Sequence, residues 1–525
     1  MEYGAAAITQ QILYIFNFNW GKIKMKKIKL LLKCIIFMVL LLFCMIKTTD
    51  IMQRKKSDFK YIPFFEQEEN TDVLFMGTSH VINGIFPMEL WNDYGIVSYN
   101  FGGHSNEIAT TYWVMKNALD YTKPKLVVVD VYGVGSDRKV SEYSDYIHLS
   151  FDCFPISKTK IRGIYDLCDD PDLVDKYGIC YYDRKWEYIW DLGKYHSRWN
   201  ALTQNDFTNE EISKEKGAET RIAVSMPNEY KVVDKAETME NPDTVGMKYL
   251  RRLIEDCQAE GIEVLLVNLP YPATYNRQIA ANSVYAIAEE YGVNYINFVA
   301  MDNIVNYNTD CYDPNSHLNA SGARKVTDYL GLYIDEHYDV PDRRNDKAYQ
   351  SWFADYQNYV DFKLENLKEQ TEIETELMLL AEDDSFSCCI YIKDASIALK
   401  NEKITALLMN ICGTDEIKNI ENSRANGNSY FLLKDSVNES VVECLDGELM
   451  QDTSFGKVTF LCNNEQESLY IGDAKNNLLD GDKEDDIAKE SDIRIYVIDN
   501  RTGTVAYSSE WDYKDDFIIR NEEEN

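Results

Sequence analysis

The feature that most constrains this chain is a series of short apolar runs separated by helical patterns. Residues 73–76 read VLFM and stop at Gly77. Residues 126–131 read LVVVDV after Pro124, and residues 262–268 end before Pro270 and Pro272. These runs are apolar at nearly every position rather than at alternate ones, so both faces of each strand are expected to be buried, as in a parallel sheet. Residues 96–101 and 293–298 are two further strand candidates. Between the runs, residues 107–120 carry Ile108, Tyr112, Met115 and Leu119 at helical spacing, and residues 247–257 and 278–291 also suit helices. Strands alternating with helices predict an α/β doubly wound parallel sheet in three layers. In such sheets ligands sit beyond the carboxyl ends of the strands.

That pattern covers residues 71–340, with an interruption. Residues 136–240 are rich in Tyr, Trp and Asp and lack clean periodicity, which predicts an insertion near the mouth of the site. From residue 341 to 380 the pattern is helical: Trp352, Tyr356, Tyr359 and Phe362 fall on one stripe, as in an amphipathic helix joining two domains. Residues 381–525 read as a β-rich unit, with strand-like runs at 390–392, 430–433, 458–461 and 493–498, a helix near 402–411 and a turn at 499–503. The full length of 525 residues suits two folded domains with appendages. All six histidines lie before residue 381, so hydrolytic chemistry is expected in the first unit.

Residues 30–46 are apolar except for Lys33 and follow Lys22, Lys24, Lys26, Lys27 and Lys29. The excess of positive charge before the apolar run predicts a cytoplasmic N-terminus at 1–29, a membrane-spanning signal-anchor at 30–48, a stalk at 49–70 and the bulk of the chain outside the cell membrane. The uninterrupted stretch 34–46 also fits the core of a cleaved signal peptide, or a buried helix. No small-x-small cleavage site follows, which favours the anchor. Met25 opens a conventional MKKIKLLLK start, so residues 1–24 are read as an extension. The net charge of −34 argues against nucleic acid as a partner and fits a soluble acidic surface. The twelve cysteines include no C-x-x-C pair, which gives no support to a zinc site, and no metal or other cofactor is expected.

Three short elements carry possible chemistry. Gly77-Thr78-Ser79-His80 follows the first strand, where a serine hydroxyl projects above the sheet edge and the N–H groups of a following helix favour a developing oxyanion. Asn100-Phe101-Gly102-Gly103 follows the second, where a glycine N–H can face an oxyanion and Asn100 can order the loop; an ordinary turn is the alternative. Asp313-Pro314-Asn315-Ser316-His317 follows the last strand and precedes a helix, placing an imidazole at the sheet end that carries Ser79. Imidazole can accept the serine proton near neutral pH, and a neighbouring carboxylate can fix its tautomer. His80 and His104 lie in the same loops and are read as possible substrate contacts.

Taken together, in this order, the three elements resemble the SGNH/GDSL hydrolase superfamily, and most nearly its membrane-anchored, cell-envelope branch of DltD-like and alginate-acetylation-type proteins. The resemblance implies Ser79 as nucleophile, His317 as base, Asp313 as its partner and Gly102 as an oxyanion donor, with Gly103, Asn100 and His80 around the substrate. It departs from the family in two places. Pro314 stands three residues before the histidine, where the family has its aspartate, so Asp313, the more distant Asp310 and a Ser-His dyad are all open. Asp130-Val131-Tyr132-Gly133 stands where the family carries G-x-N-D, leaving the Tyr132 hydroxyl as a possible substitute donor. The implied activity is that of an esterase or O-acyltransferase acting on envelope polysaccharide through an acyl-serine, with a multispan membrane partner as acyl donor. A glycan-binding scaffold without catalysis is the alternative. The C-terminal unit faintly resembles interleukin-like (ILEI-type) β modules through Tyr391-Ile392-Lys393-Asp394 and residues 497–503.

Overall fold

The computed structural model of the protein describes residues 2–53, 60–208, 213–225, 243–314, 317–398, 400–412, 428–462, 467–471, 491–514 and 517–521. Parts of four sequence expectations lie outside the described residues: 54–59 of the stalk, 209–212 and 226–240 of the insertion, Asn315-Ser316 of the histidine motif, and 399, 413–427, 463–466, 472–490, 515–516 and 522–525 of the β-rich unit.

Five parallel strands form the first sheet: β1 (Val73–Gly77), β2 (Ser98–Gly102), β3 (Leu126–Asp130), β4 (Glu263–Asn268) and β5 (Asn294–Asn297), in the order β2-β1-β3-β4-β5. Every residue of β1, β2 and β3 is buried, as continuous apolar runs require when helices cover both faces. The strand order reverses at β1, so the chain leaves β2 and β3 on either side of it. Gly77 pairs with Gly102 and Met76 with Val129, which brings the loops after all three strands to one place.

Two helical expectations break in the structure. The helix expected at 278–291 is two, Tyr275–Asn282 and Val284–Tyr291. Ser283 Oγ donates to the Ile279 carbonyl at 2.9 Å, a back-bond that bends helices. The helix expected across 341–380 is also two, Gln350–Lys368 and Ile373–Leu380, parted by the polar residues 369–372. Nor do they act as a bridge between separate bodies. Trp352 packs 5.5 Å from Trp91, and the Ile373–Leu380 helix is buried on almost all sides. Its buried Glu376 accepts from Ser509 Oγ (2.7 Å) and Trp511 Nε1 (3.1 Å), and the hydrophobic core runs without a break from Val73 in β1 to Trp511 in the C-terminal unit. A buried ionic cluster crosses the same seam: Lys363 Nζ donates to Glu89 Oε1 (2.9 Å), Asp383 Oδ1 (3.0 Å) and Ser385 Oγ (2.7 Å).

The C-terminal unit is β-rich. A six-stranded antiparallel sheet, in the order β14-β13-β12-β6-β7-β8, is built from β6 (Phe386–Ile392), β7 (Tyr430–Asp435), β8 (Ser440–Leu445), β12 (Ile493–Asp499), β13 (Thr504–Lys514) and β14 (Phe517–Arg520). A three-stranded sheet of β9 (Gly447–Thr453), β10 (Gly456–Cys462) and β11 (Glu467–Ile471) packs on it, with the Phe431 and Phe460 rings stacked 4.6 Å apart. No disulfide is present among the described residues.

The N-terminal helix runs from Glu2 to Met52. Its segment Lys26–Met52 is long and apolar enough to cross a membrane; the apolar window within it is not buried by the rest of the chain, whereas Met52 at its end is. At 1.5 Å per residue this segment is about 40 Å long, against a hydrocarbon core of about 30 Å.

Candidate active site

Ser79 is the first residue of a short helix, Ser79–Gly84, entered directly from β1. Thr78 caps that helix: its Oγ1 accepts from the His80 N–H at 3.2 Å and donates to Asp130 Oδ2 at 3.1 Å. Asp130 is buried at the end of β3, and burial raises its carboxyl to about 7. Gly77 is needed for close approach, because a Cβ there would come within 2.7 Å of Asp130 Cβ. The sequence reading did not single out Asp130 as a brace for the turn that presents Ser79. The visible signal was a carboxylate closing an otherwise apolar strand.

His317 reaches Ser79 from the opposite side of the sheet end. Its Nε2 lies 2.8 Å from Ser79 Oγ, and its Nδ1 lies 2.7 Å from Asp313 Oδ2. Asp313 also accepts the His317 backbone N–H at 3.3 Å. An ionised carboxylate can only accept, so Nδ1 carries the proton and the Nε2 lone pair faces the serine hydroxyl. The four-residue spacing is accommodated by the loop. Cys311 and Leu318 form an antiparallel bridge and the Tyr312 N–H donates to the His317 carbonyl at 2.8 Å, so the chain doubles back and Asp313 returns to the imidazole. Asp310 is directed elsewhere: it accepts from Lys325 Nζ (2.9 Å), Ser321 Oγ (3.1 Å) and Asn410 Nδ2 (3.1 Å), tying the loop to its following helix and to the C-terminal unit.

The glycines do not present N–H groups to Ser79. Gly102 N–H donates to Asn100 Oδ1 at 3.0 Å, and Gly103 N–H donates to the Gly77 carbonyl at 3.0 Å. The expectation of a Gly102 oxyanion donor is therefore corrected, because Asn100 closes the loop on that hydrogen. Asn100 also donates to the carbonyls of Val81 (2.7 Å) and Ile85 (2.9 Å), so it fastens β2 to the Ser79 helix. Gly102 serves as a gap: a Cβ would meet Ile82 N and Thr78 O, both at 2.7 Å. Two donors remain near this sheet end. The Ser79 N–H stands at the start of a helix and has no intrahelical acceptor. Asn106 is buried against Gly103, and its Nδ2 has no acceptor among the described residues, while its Oδ1 accepts from Ser150 Oγ at 2.7 Å. Sequence reasoning missed Asn106, which looks like any loop asparagine.

Around the Ser79–His317 pair stands a wall of rings. His80 stacks on Tyr271 (5.3 Å, 11°), meets Tyr132 edge-on (4.4 Å) and lies 5.3 Å from His317. Burial, and then the charge of His317 and Arg277, hold its imidazole down at about 3, so it stays neutral. Arg277 covers the outer faces of Tyr132 (5.1 Å) and Tyr271 (5.9 Å). On the other flank His104 faces Glu219, with Lys60 and Arg221 close by; burial and Lys60 lower it to about 4. The returning end of the insertion stitches these parts together: Glu219 N–H donates to Ile82 O (3.0 Å), Ala320 N–H to Arg221 O (3.1 Å) and Ser225 N–H to Cys311 O (2.9 Å). Among the described residues no three His, Cys, Asp or Glu side chains gather as metal ligands do.

No protein-family model and no curated protein matches the sequence. Among solved structures, the chain is similar to a candidate lipolytic protein of the G-D-S-L family from Desulfitobacterium hafniense DCB-2. Identity is 12%, with 50% of this chain and 99% of that one covered, at a TM-score of 0.26. It is also similar to a candidate acylhydrolase from Bacteroides fragilis NCTC 9343, at 11% identity, 53% and 94% coverage and a TM-score of 0.26.

Proposed function

We propose that this chain is a membrane-tethered serine esterase or O-acyltransferase of SGNH type. The observation that supports it is the continuous relay from Ser79 Oγ through His317 to Asp313, at 2.8 and 2.7 Å. In the proposed reaction Ser79 Oγ attacks an ester carbonyl while its proton passes to His317 Nε2. The Ser79 N–H and the Asn106 amide stabilise the tetrahedral oxyanion. The imidazolium then protonates the departing alkoxide, leaving an acyl-serine. Water or a sugar hydroxyl attacks that ester, gives its proton to His317 and releases the acyl group, and Ser79 recovers its proton. Asp313 keeps the imidazole in the productive tautomer and is paired with it when it is charged. The anchor and the family resemblance favour an envelope polysaccharide as substrate or acceptor, with a multispan membrane protein supplying acyl groups if the reaction is transfer.

Turnover of p-nitrophenyl acetate and labelling by a fluorophosphonate, measured on the full chain and on its Ser79→Ala and His317→Ala variants, test this reading. Labelling that vanishes in Ser79→Ala, with turnover lost in both variants, is the expected result. Three folded proteins that neither label nor differ would replace the enzyme with a glycan-binding scaffold.

A further inference from the structure

The insertion places aromatic side chains in solvent beside the end of the N-terminal helix. Trp186 and Trp199 are 70% and 72% exposed, and Trp190, Tyr182 and Tyr165 are also exposed. Large aromatic rings are seldom left uncovered in such a group on a soluble surface. Trp186 and Trp190 lie one turn apart, joined by the Trp190 N–H to Trp186 carbonyl bond at 3.0 Å, while the intervening Tyr188 and Ile189 are buried. The Lys185 ammonium sits over both the Tyr182 ring (3.2 Å) and the Tyr165 ring (4.9 Å), so these two tyrosine rings are neighbours.

Their position along the N-terminal helix indicates what covers them. Trp190 Nε1 donates to Thr49 Oγ1 at 3.3 Å, and Arg198 Nη1 donates to the carbonyls of Met52 (3.0 Å) and Gln53. Thr49 is three residues beyond Ile46, where the apolar stretch ends. That is about 4.5 Å along the helix axis, so a hydrocarbon layer ending at Ile46 sets Thr49 within the headgroup layer of roughly 5–8 Å. Tryptophan and tyrosine concentrate at that depth because the ring is apolar and its N–H or O–H still needs a polar partner.

We propose that the face of the insertion bearing Trp186, Trp190 and Trp199 seats on the lipid bilayer, as a collar around the point where the N-terminal helix emerges. The same insertion touches the candidate active site. In its helix Asp145–Phe151, Tyr146 lies 6.3 Å from His104, and His148 packs 4.8 Å from Tyr188. The seat therefore holds the mouth of the Ser79 site near the membrane surface, where an acyl group carried by a lipid or a membrane protein arrives. The collar rests on the reading of the N-terminal helix as an anchor and is independent of any activity at Ser79.

The test uses the full chain in lipid nanodiscs, with and without phospholipids brominated near the headgroup end of the acyl chain. Tryptophan emission is compared between the wild type and a Trp186→Leu/Trp199→Leu variant, so that the difference spectrum isolates two exposed rings. Bromolipid quenching of that difference emission is the expected result. Difference emission that brominated lipids leave unchanged, in protein that resists extraction by alkaline carbonate, would overturn the collar and leave the anchor standing. Extraction by carbonate would remove the anchor reading and the collar with it.

Discussion

Replacing Asp313 with asparagine separates a working triad from a serine-histidine pair that merely has a carboxylate nearby. The imidazole is held by a 2.7 Å contact from Nδ1 to Asp313, and both side chains are about a quarter exposed. A charge-assisted hydrogen bond of this kind contributes about 1.5–3 kcal/mol, or roughly 10- to 150-fold in rate. Asp313→Ala removes that term and is expected to lower kcat/KM by about 10²-fold, because solvent can still accept the Nδ1 proton. Asp313→Asn does more, since its amide can offer an N–H to Nδ1 and so favour the tautomer with the proton on Nε2, facing Ser79. In fully buried triads that exchange costs about 10⁴-fold, and partial exposure here reduces the expected loss to about 10³-fold. The assay is steady-state p-nitrophenyl acetate turnover, with fluorophosphonate labelling rates as a check on nucleophile activation. If both variants stay within about threefold of the wild type while Ser79→Ala is inactive, Asp313 plays no part in orienting His317 and the reasoning fails.

Three further outcomes follow from the same geometry. Gly102→Ala is expected to lower the unfolding midpoint, at a cost of about 1–3 kcal/mol, and to reduce turnover, because the new Cβ meets backbone atoms of Thr78 and Ile82; a pure N–H donor would tolerate alanine, so an unchanged melting curve and rate would restore the oxyanion assignment. Asn106→Ala is expected to lower kcat by about 10²-fold with little change in KM, as loss of one oxyanion donor does, and a change confined to KM would remove it from that role. His80 is held at about 3 in the folded state against an ordinary 6.5, so the unfolded chain takes up the proton first. Its contribution to stability is complete above about 6.5 and is lost as pH falls toward 3, at up to about 1.4 kcal/mol per pH unit. Denaturant midpoints at pH 7 and 5 are expected to fall further for the wild type than for His80→Gln, and equal falls would refute the assignment.

Much of this protein is legible in the order of its residues. Continuous apolar runs at 73–76, 126–131 and 262–268 specify buried parallel strands, because a strand apolar on both faces has to be covered on both. Gly77-Thr78-Ser79 after the first strand and His317 before the last helix mark the same sheet end for a related reason: parallel strands with right-handed crossovers bring their following loops to one edge. The lysines before the apolar stretch 30–46 mark a candidate membrane helix, while the length of its uninterrupted core, 34–46, suits a signal peptide equally well. Tertiary structure decided the rest. Whether Gly102 N–H was free depended on where the Asn100 side chain turned, and Asp313 could reach His317 only because Cys311 and Leu318 bridge to fold the loop back. The polar break at 369–372 and the core shared with the C-terminal sheet made one packed body where the helical stripe at 341–380 suggested a connector. Local periodicity reports which face of a segment is apolar. Which other segment covers that face, and which donor meets which acceptor, is set only when distant parts of the chain pack together.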